Sequence, residues 1–243
     1  MAKHVIKPAV IRSRISNDLL SLVQILRNES SEVVINPDVL QSAANQANKT
    51  TKNTDWSYDV ADLQFRVSTP QNVLPQKCGE WLNVYMDLDL RGECNDELED
   101  SLTDLILEIR IETESKQNIC SWHFDRHIVD AESAPPEEAH PLYHFQHGGH
   151  AMKGLAESLG KTLLLPAPRL AFPPMDAVLA IDFVLSNFAG CCWQKLRNES
   201  TYSRLIKEAQ YRHWRPYITR LASWWDKGPK DEGKILALWP HLA

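Results

Sequence analysis

The chain has 243 residues, 43% hydrophobic and 24% charged, with a formal net charge of −6 and an isoelectric point of about 5.8. That is enough for one sizeable core, and too acidic overall for general DNA binding. No run of about 18 apolar residues and no apolar leader segment is present, so the expectation is a cytoplasmic chain without a membrane span.

The first predicted element is a helix over residues 12–28. Ile15, Leu19, Leu22, Val23 and Leu26 recur at helical spacing, and Ser16, Asn17 and Asp18 can cap. A short helix follows over 38–47, then a polar loop over 48–57. The period then changes to two. Leu63, Phe65 and Val67 alternate with polar residues, as do Leu82, Val84, Met86, Leu88 and Leu90. Leu105, Leu107, Ile109 and Ile111 continue the pattern, and Cys120, Trp122 and Phe124 end it. Strict alternation with one polar face is the mark of a half-solvated antiparallel sheet, and strands in succession suggest a meander. Residues 93–104 and 131–139 read as loops. Pro173, Pro174 and Asp176 read as the first turn of a helix running to about Phe188. Two more helices are expected over 193–210 and 216–225.

The fold class expected is α+β: an antiparallel four- to five-stranded meander with N-terminal helices and a C-terminal helical layer. It reads as a single domain over 1–243, with helices and a loop in 1–58, the sheet in 59–150 and helices in 151–243. The five cysteines (Cys78, Cys94, Cys120, Cys191 and Cys192) are odd in number and form no C-x2-C pair, which argues against a disulfide framework or a cysteine-rich zinc module. Charge is unevenly spread. Residues 80–138 hold seventeen acidic and four basic side chains, whereas residues 193–243 hold ten basic and five acidic ones.

Six of the nine histidines lie between His123 and His150, in two clusters: His123 and His127 around Asp125, then His140, His144, His147 and His150. On a strand, His123, Asp125 and His127 share one face at a spacing of about 6.5–7 Å. Two histidines and a carboxylate are a recognised donor set for iron, and zinc takes the same donors. They can equally continue a solvated face that already carries Asp87, Asp89, Glu108 and Glu112. On a helix, His140, His144 and His147 share one face and could chelate a metal, whereas if a strand runs from His140, then His140 and His144 stand about 13 Å apart. In that case His144 points to the first cluster, as a further ligand or general base, and His147 joins the side of Tyr143 and Phe145. Gly148-Gly149 reads as a tight turn that can also approach an anion closely.

His123-x-Asp125 resembles the start of the motif of iron and 2-oxoglutarate oxygenases. The distant histidine and basic residue of that motif would be His213 and Arg220, which here read as helical rather than as strands of a double-stranded β-helix. The order of helix, four-strand meander, His140-Pro141 and helices resembles ubiquitin-conjugating enzymes. Leu142 replaces the asparagine of their His-Pro-Asn signature, and Cys191 lies about fifty residues on. That resemblance therefore implies a related fold without the conjugating cysteine. No G-x-G-x-x-G, P-loop, G-x-S-x-G or H-E-x-x-H motif is present.

Near the end of the chain, Trp193, Trp214, Trp224 and Trp225 are interleaved with Lys195, Arg197, Arg204, Lys207, Arg212, Arg215 and Arg220. Such a pattern packs a core with snorkelling arginines, anchors a protein interface or stacks single-stranded nucleic acid. The sequence thus supports two functions. The first is a non-catalytic accessory subunit of a larger bacterial-type assembly, such as a mobile-element or phage-defence system. It would bind a protein partner through Trp214, Arg215, Trp224 and Trp225, with nucleic acid as a further option for these basic aromatic helices. The second is a metal-dependent hydrolase, a nuclease or phosphoesterase. There His123, Asp125, His127 and His144 would hold zinc, manganese or iron, and His144 would be the alternative general base.

Overall fold

A computed structural model describes residues 8–49, 55–75, 78–93, 100–127, 139–148, 152, 169–226, 232–240 and 242. Its elements are two helices, α1 (Pro8–Glu29) and α2 (Val39–Lys49), followed by strands β1 (Asp55–Ser68), β2 (Trp81–Glu93), β3 (Leu102–Thr113), β4 (Ile119–Arg126), β5 (Tyr143–His147) and β6 (Leu170–Ala171). The chain then forms α3 (Ala177–Phe188), α4 (Gly190–Asn198), α5 (Ser200–Ala222), a 3-10 turn (Ser223–Trp225) and α6 (Glu232–Leu238). The architecture is α+β. The sheet is an antiparallel meander in the order β1-β2-β3-β4-β5-β6, one strand longer than expected because of the two-residue β6.

Alternation places Leu82, Val84, Met86, Leu88 and Leu90 of β2 and Leu105, Leu107 and Ile109 of β3 on one buried face. Phe124, Tyr143 and Phe145 continue that face. The helices cover it, with α2 against β1 and α1 against α2, α3 and α5. Fully burying each large apolar side chain contributes roughly 1.5–3 kcal/mol, so this face dominates the stability of the sheet. No helix among the described residues is long and apolar enough to cross a membrane.

Beyond shifts of a few residues at the ends of α1 and α2, three element boundaries differ from those expected. First, β1 starts at Asp55, inside the expected 48–57 loop. Trp56, Tyr58 and Val60 are buried at even positions, then Leu63, Phe65 and Val67 at odd ones. A bulge between Val60 and Leu63, with Asp62 at φ 53°, changes the phase and hides the first half of the strand from a period-two pattern. Second, Pro173 and Pro174 precede α3 rather than forming its first turn, and Asp176 is the cap, accepting from the Leu179 N–H at 3.0 Å. Third, the break among the C-terminal helices falls at Glu199. Pro216 lies inside α5 instead of starting a helix.

Cys78, Cys120, Cys191 and Cys192 are free. Cys94, Gly149, His150 and most of the expected 93–104 and 131–139 loops lie outside the described residues.

Candidate functional site

Pairing of β4 with β5 builds the histidine site. Phe124 sits opposite Phe145 in the register, which sets Asp125 opposite His144. A slip of one residue would turn every side chain of β5 to the other face. An aromatic cluster prevents it. Phe145 packs on Phe124, Phe183 and Phe172, with ring centroids at 4.6, 4.9 and 5.3 Å. These contacts clamp β5 between β4 and α3 on the core face, and the histidines are presented on the opposite face.

There His123 Nε2 lies 2.9 Å from Asp125 Oδ2, and His144 Nε2 lies 3.1 Å from Asp125 Oδ1. His144 is 1% exposed, and its Nδ1–H donates to the Pro141 carbonyl at 3.0 Å. That bond leaves a lone pair on Nε2 of the neutral ring. Asp125 Oδ1 is buried and has no hydrogen-bond donor. Two acceptors thus face each other, and a proton or cation between them would satisfy both.

His127 stands elsewhere. Pairing of β4 ends at Arg126, the His127 N–H donates to the Leu142 carbonyl, and the ring stacks on His140 at 3.7 Å. His140 in turn meets His144 edge-on, with centroids at 4.6 Å. The 13 Å separation expected for a strand running from His140 does not occur, because β5 begins only at Tyr143 and the His-Pro-Leu segment turns back beside it. His140 therefore stands beside His144 although β5 is a strand and the one-faced helix of His140, His144 and His147 does not form. His147 packs on Trp122 on the core side, as expected from the alternation, and Gly148 adopts φ 109° and donates to the Ser121 carbonyl.

The electrostatics follow from these contacts. The hydrogen bond to Asp125 raises the His123 pKa above its usual value. Burial raises that of Asp125, but His123 and the neighbouring histidines outweigh it, so the carboxyl is held low. Burial lowers the His144 pKa, and Asp125 only partly opposes it. Burial, with His127, His144 and Arg169 nearby, lowers the His140 pKa to about 4. No set of three or more His, Cys, Asp or Glu side chains among the described residues has metal-holding geometry. His213 and Arg220 do not complete an oxygenase triad. His213 is buried in the helical layer and pairs with Asp176 at 3.3 Å, on the other side of the sheet.

The second candidate surface lies on α5. Trp214 is half-buried, and its indole N–H donates to the Pro174 carbonyl, so it serves packing. Trp224 is also half-buried. Arg215 is exposed and lies over the Tyr211 ring, and Trp225 is 77% exposed. Ile218, between them, is 51% exposed, and Tyr211, one turn before Arg215, is 50% exposed. Tyr211, Arg215, Ile218, Ala222 and Trp225 follow one another at steps of three and four, which makes one continuous helix face. Splitting α5 at residue 210 conceals that stripe.

No protein-family model, curated protein or solved structure matches this chain.

Proposed function

We propose that the chain is a non-catalytic accessory subunit of a larger bacterial-type assembly, binding a protein partner through the outer face of α5 and its 3-10 end. The observation that carries this reading is the exposed row of Tyr211, Ile218 and Trp225 on one helix face. Aromatic side chains and arginine are the usual anchors of interfaces, whereas isolated exposed apolar residues need no explanation. Here they are in phase along the same face.

Affinity capture with the tagged chain from its own host tests the reading. A partner retained by the parent and lost by Tyr211→Ala/Trp225→Ala is the expected result, with the circular dichroism of the variant unchanged. His123→Ala should leave the complex intact. A partner held equally by parent and double variant overturns the assignment to α5.

A second reading, a metal-dependent nuclease or phosphoesterase, is favoured by the meeting of His123, Asp125 and His144 and by the donorless Asp125 Oδ1. The Pro141 carbonyl fixes the His144 tautomer as a backbone carbonyl does for a metal-bound histidine. Binding an ion there requires His123 to release Asp125 Oδ2. About one equivalent of zinc, manganese or iron after dialysis, lost in His123→Ala/Asp125→Ala, supports this reading. An unchanged low metal content after loading with each ion removes it.

A further inference from the structure

The face of α5 changes character along its length, and that change names the chemistry of its partner. Toward the N-terminal end it carries Arg204, Lys207 and Arg215 around Tyr211, and toward the C-terminal end Ile218, Ala222 and Trp225. Across a groove of about 530 Å³ stands Arg14 of α1, and Glu208, Tyr211 and Arg212 complete its lining.

The cations of this groove are not equivalent. Arg212 is held by Asp18 and Asp176 and is spent within the fold. Arg204 pairs with Glu208 at 3.1 Å. Arg14 and Lys207 have no carboxylate partner among the described residues, and Arg215 donates to the Tyr211 hydroxyl instead of to an acid. Among the described residues, three cations on this face thus have no carboxylate partner, on a chain whose overall charge is −6.

We propose that this face binds an acidic amphipathic helix of a partner protein. The proposal rests on the interaction-subunit reading above. The partner's carboxylates would lie between Arg14, Lys207 and Arg215, and its apolar side chains would cover Ile218, Ala222 and Trp225. From Arg204 to Trp225 the face runs about 31 Å, which accommodates a partner helix of about twenty-one residues. Such a helix presents its anchors at the spacing of the row it covers. Phosphates would meet the cations, but they would gain nothing from the aliphatic Ile218 and Ala222.

The probe is a synthetic, end-blocked peptide of about twenty-one residues, helical by composition, with a Leu/Trp stripe flanked by glutamates. A second peptide keeps the stripe and carries lysines in place of the glutamates. Binding to the full chain is followed by fluorescence anisotropy. The acidic peptide should bind at least about tenfold more tightly than the basic one, and more weakly as salt rises. Lys207→Glu/Arg215→Glu should invert that preference. Ile218→Ala/Trp225→Ala should weaken both peptides about tenfold. Inversion of the preference by an otherwise folded variant is a readout that general loss of structure cannot give.

Three results overturn the proposal. One is a single-stranded oligonucleotide of equal charge that binds as tightly as the acidic peptide, which would make the face a polyanion surface. Another is self-association of the chain abolished by Ile218→Ala/Trp225→Ala, which would make a second copy the occupant. The third is no binding of either peptide at about 100 µM, a Kd range where only some 5 kcal/mol is gained. If the peptides fail while capture still depends on Tyr211 and Trp225, the interaction reading stands and only the acidic-helix chemistry falls.

Discussion

His140 illustrates how one side chain's surroundings set its chemistry. Its ring lies between those of His127 and His144, and its pKa falls to about 4. A histidine whose folded pKa is lowered contributes stability that is present above its unfolded value of about 6.5 and is lost as pH falls toward the folded one. His140→Gln cannot take up that proton. Relative to the parent, the variant should therefore gain stability between pH 7.5 and pH 5, read as a shift in urea midpoint at each pH. A parent and variant that lose stability in parallel over that range would contradict the assignment. The meeting of Asp125 and His144 was legible in the sequence, since alternation fixes faces and a short second strand brings the clusters side by side. The part played by His140 was not. It depends on where β5 begins, and a His-Pro-Leu segment carries no periodic signal of that point.

The helices pack through one buried polar junction. Asp176 caps α3, and its carboxylate also meets Arg212 at 3.2 Å and His213 at 3.3 Å on α5, while Arg212 reaches Asp18 of α1. Burial pushes the Asp176 carboxyl up, but His213, Arg212 and the cap hold it well below the usual carboxylate range. Removing Asp176 leaves the buried Arg212 guanidinium with Asp18 alone, which is far costlier than losing an exposed pair. Asp176→Ala should cost about 3 kcal/mol in urea unfolding, combining a lost cap with a broken buried pair. Glu208→Ala, which breaks the exposed pair with Arg204, should cost less than about 0.5 kcal/mol. Equal costs would show that the junction is as weak as a surface contact. At this scale the sequence revealed element types better than their limits. Asp176 was recognisable beside the helix start, but its two partners lie 36 and 37 residues on and no local pattern links them. Pro216 in particular reads as a helix start, and only tertiary packing keeps it inside α5.

Across the whole molecule, each strand pairs with its immediate successor, so the sheet is made of near contacts in sequence. The N-terminal and C-terminal helices, by contrast, meet through distant ones, with Asp18 and Arg212 separated by 194 positions. Pulse-labelled hydrogen exchange during refolding should show the amides of β1 to β4 protected before those of α1 and α5, and simultaneous protection would refute that order. The same arrangement bears on synthesis at the ribosome. The sheet can grow strand by strand as the chain emerges, yet Asp18 of α1 waits for the synthesis of 194 further residues before the guanidinium that compensates it exists. A nascent chain halted short of Arg212 thus holds a carboxylate at the place where α1 must close over the core, and stalled or truncated products should be drawn to chaperones by that unclosed end.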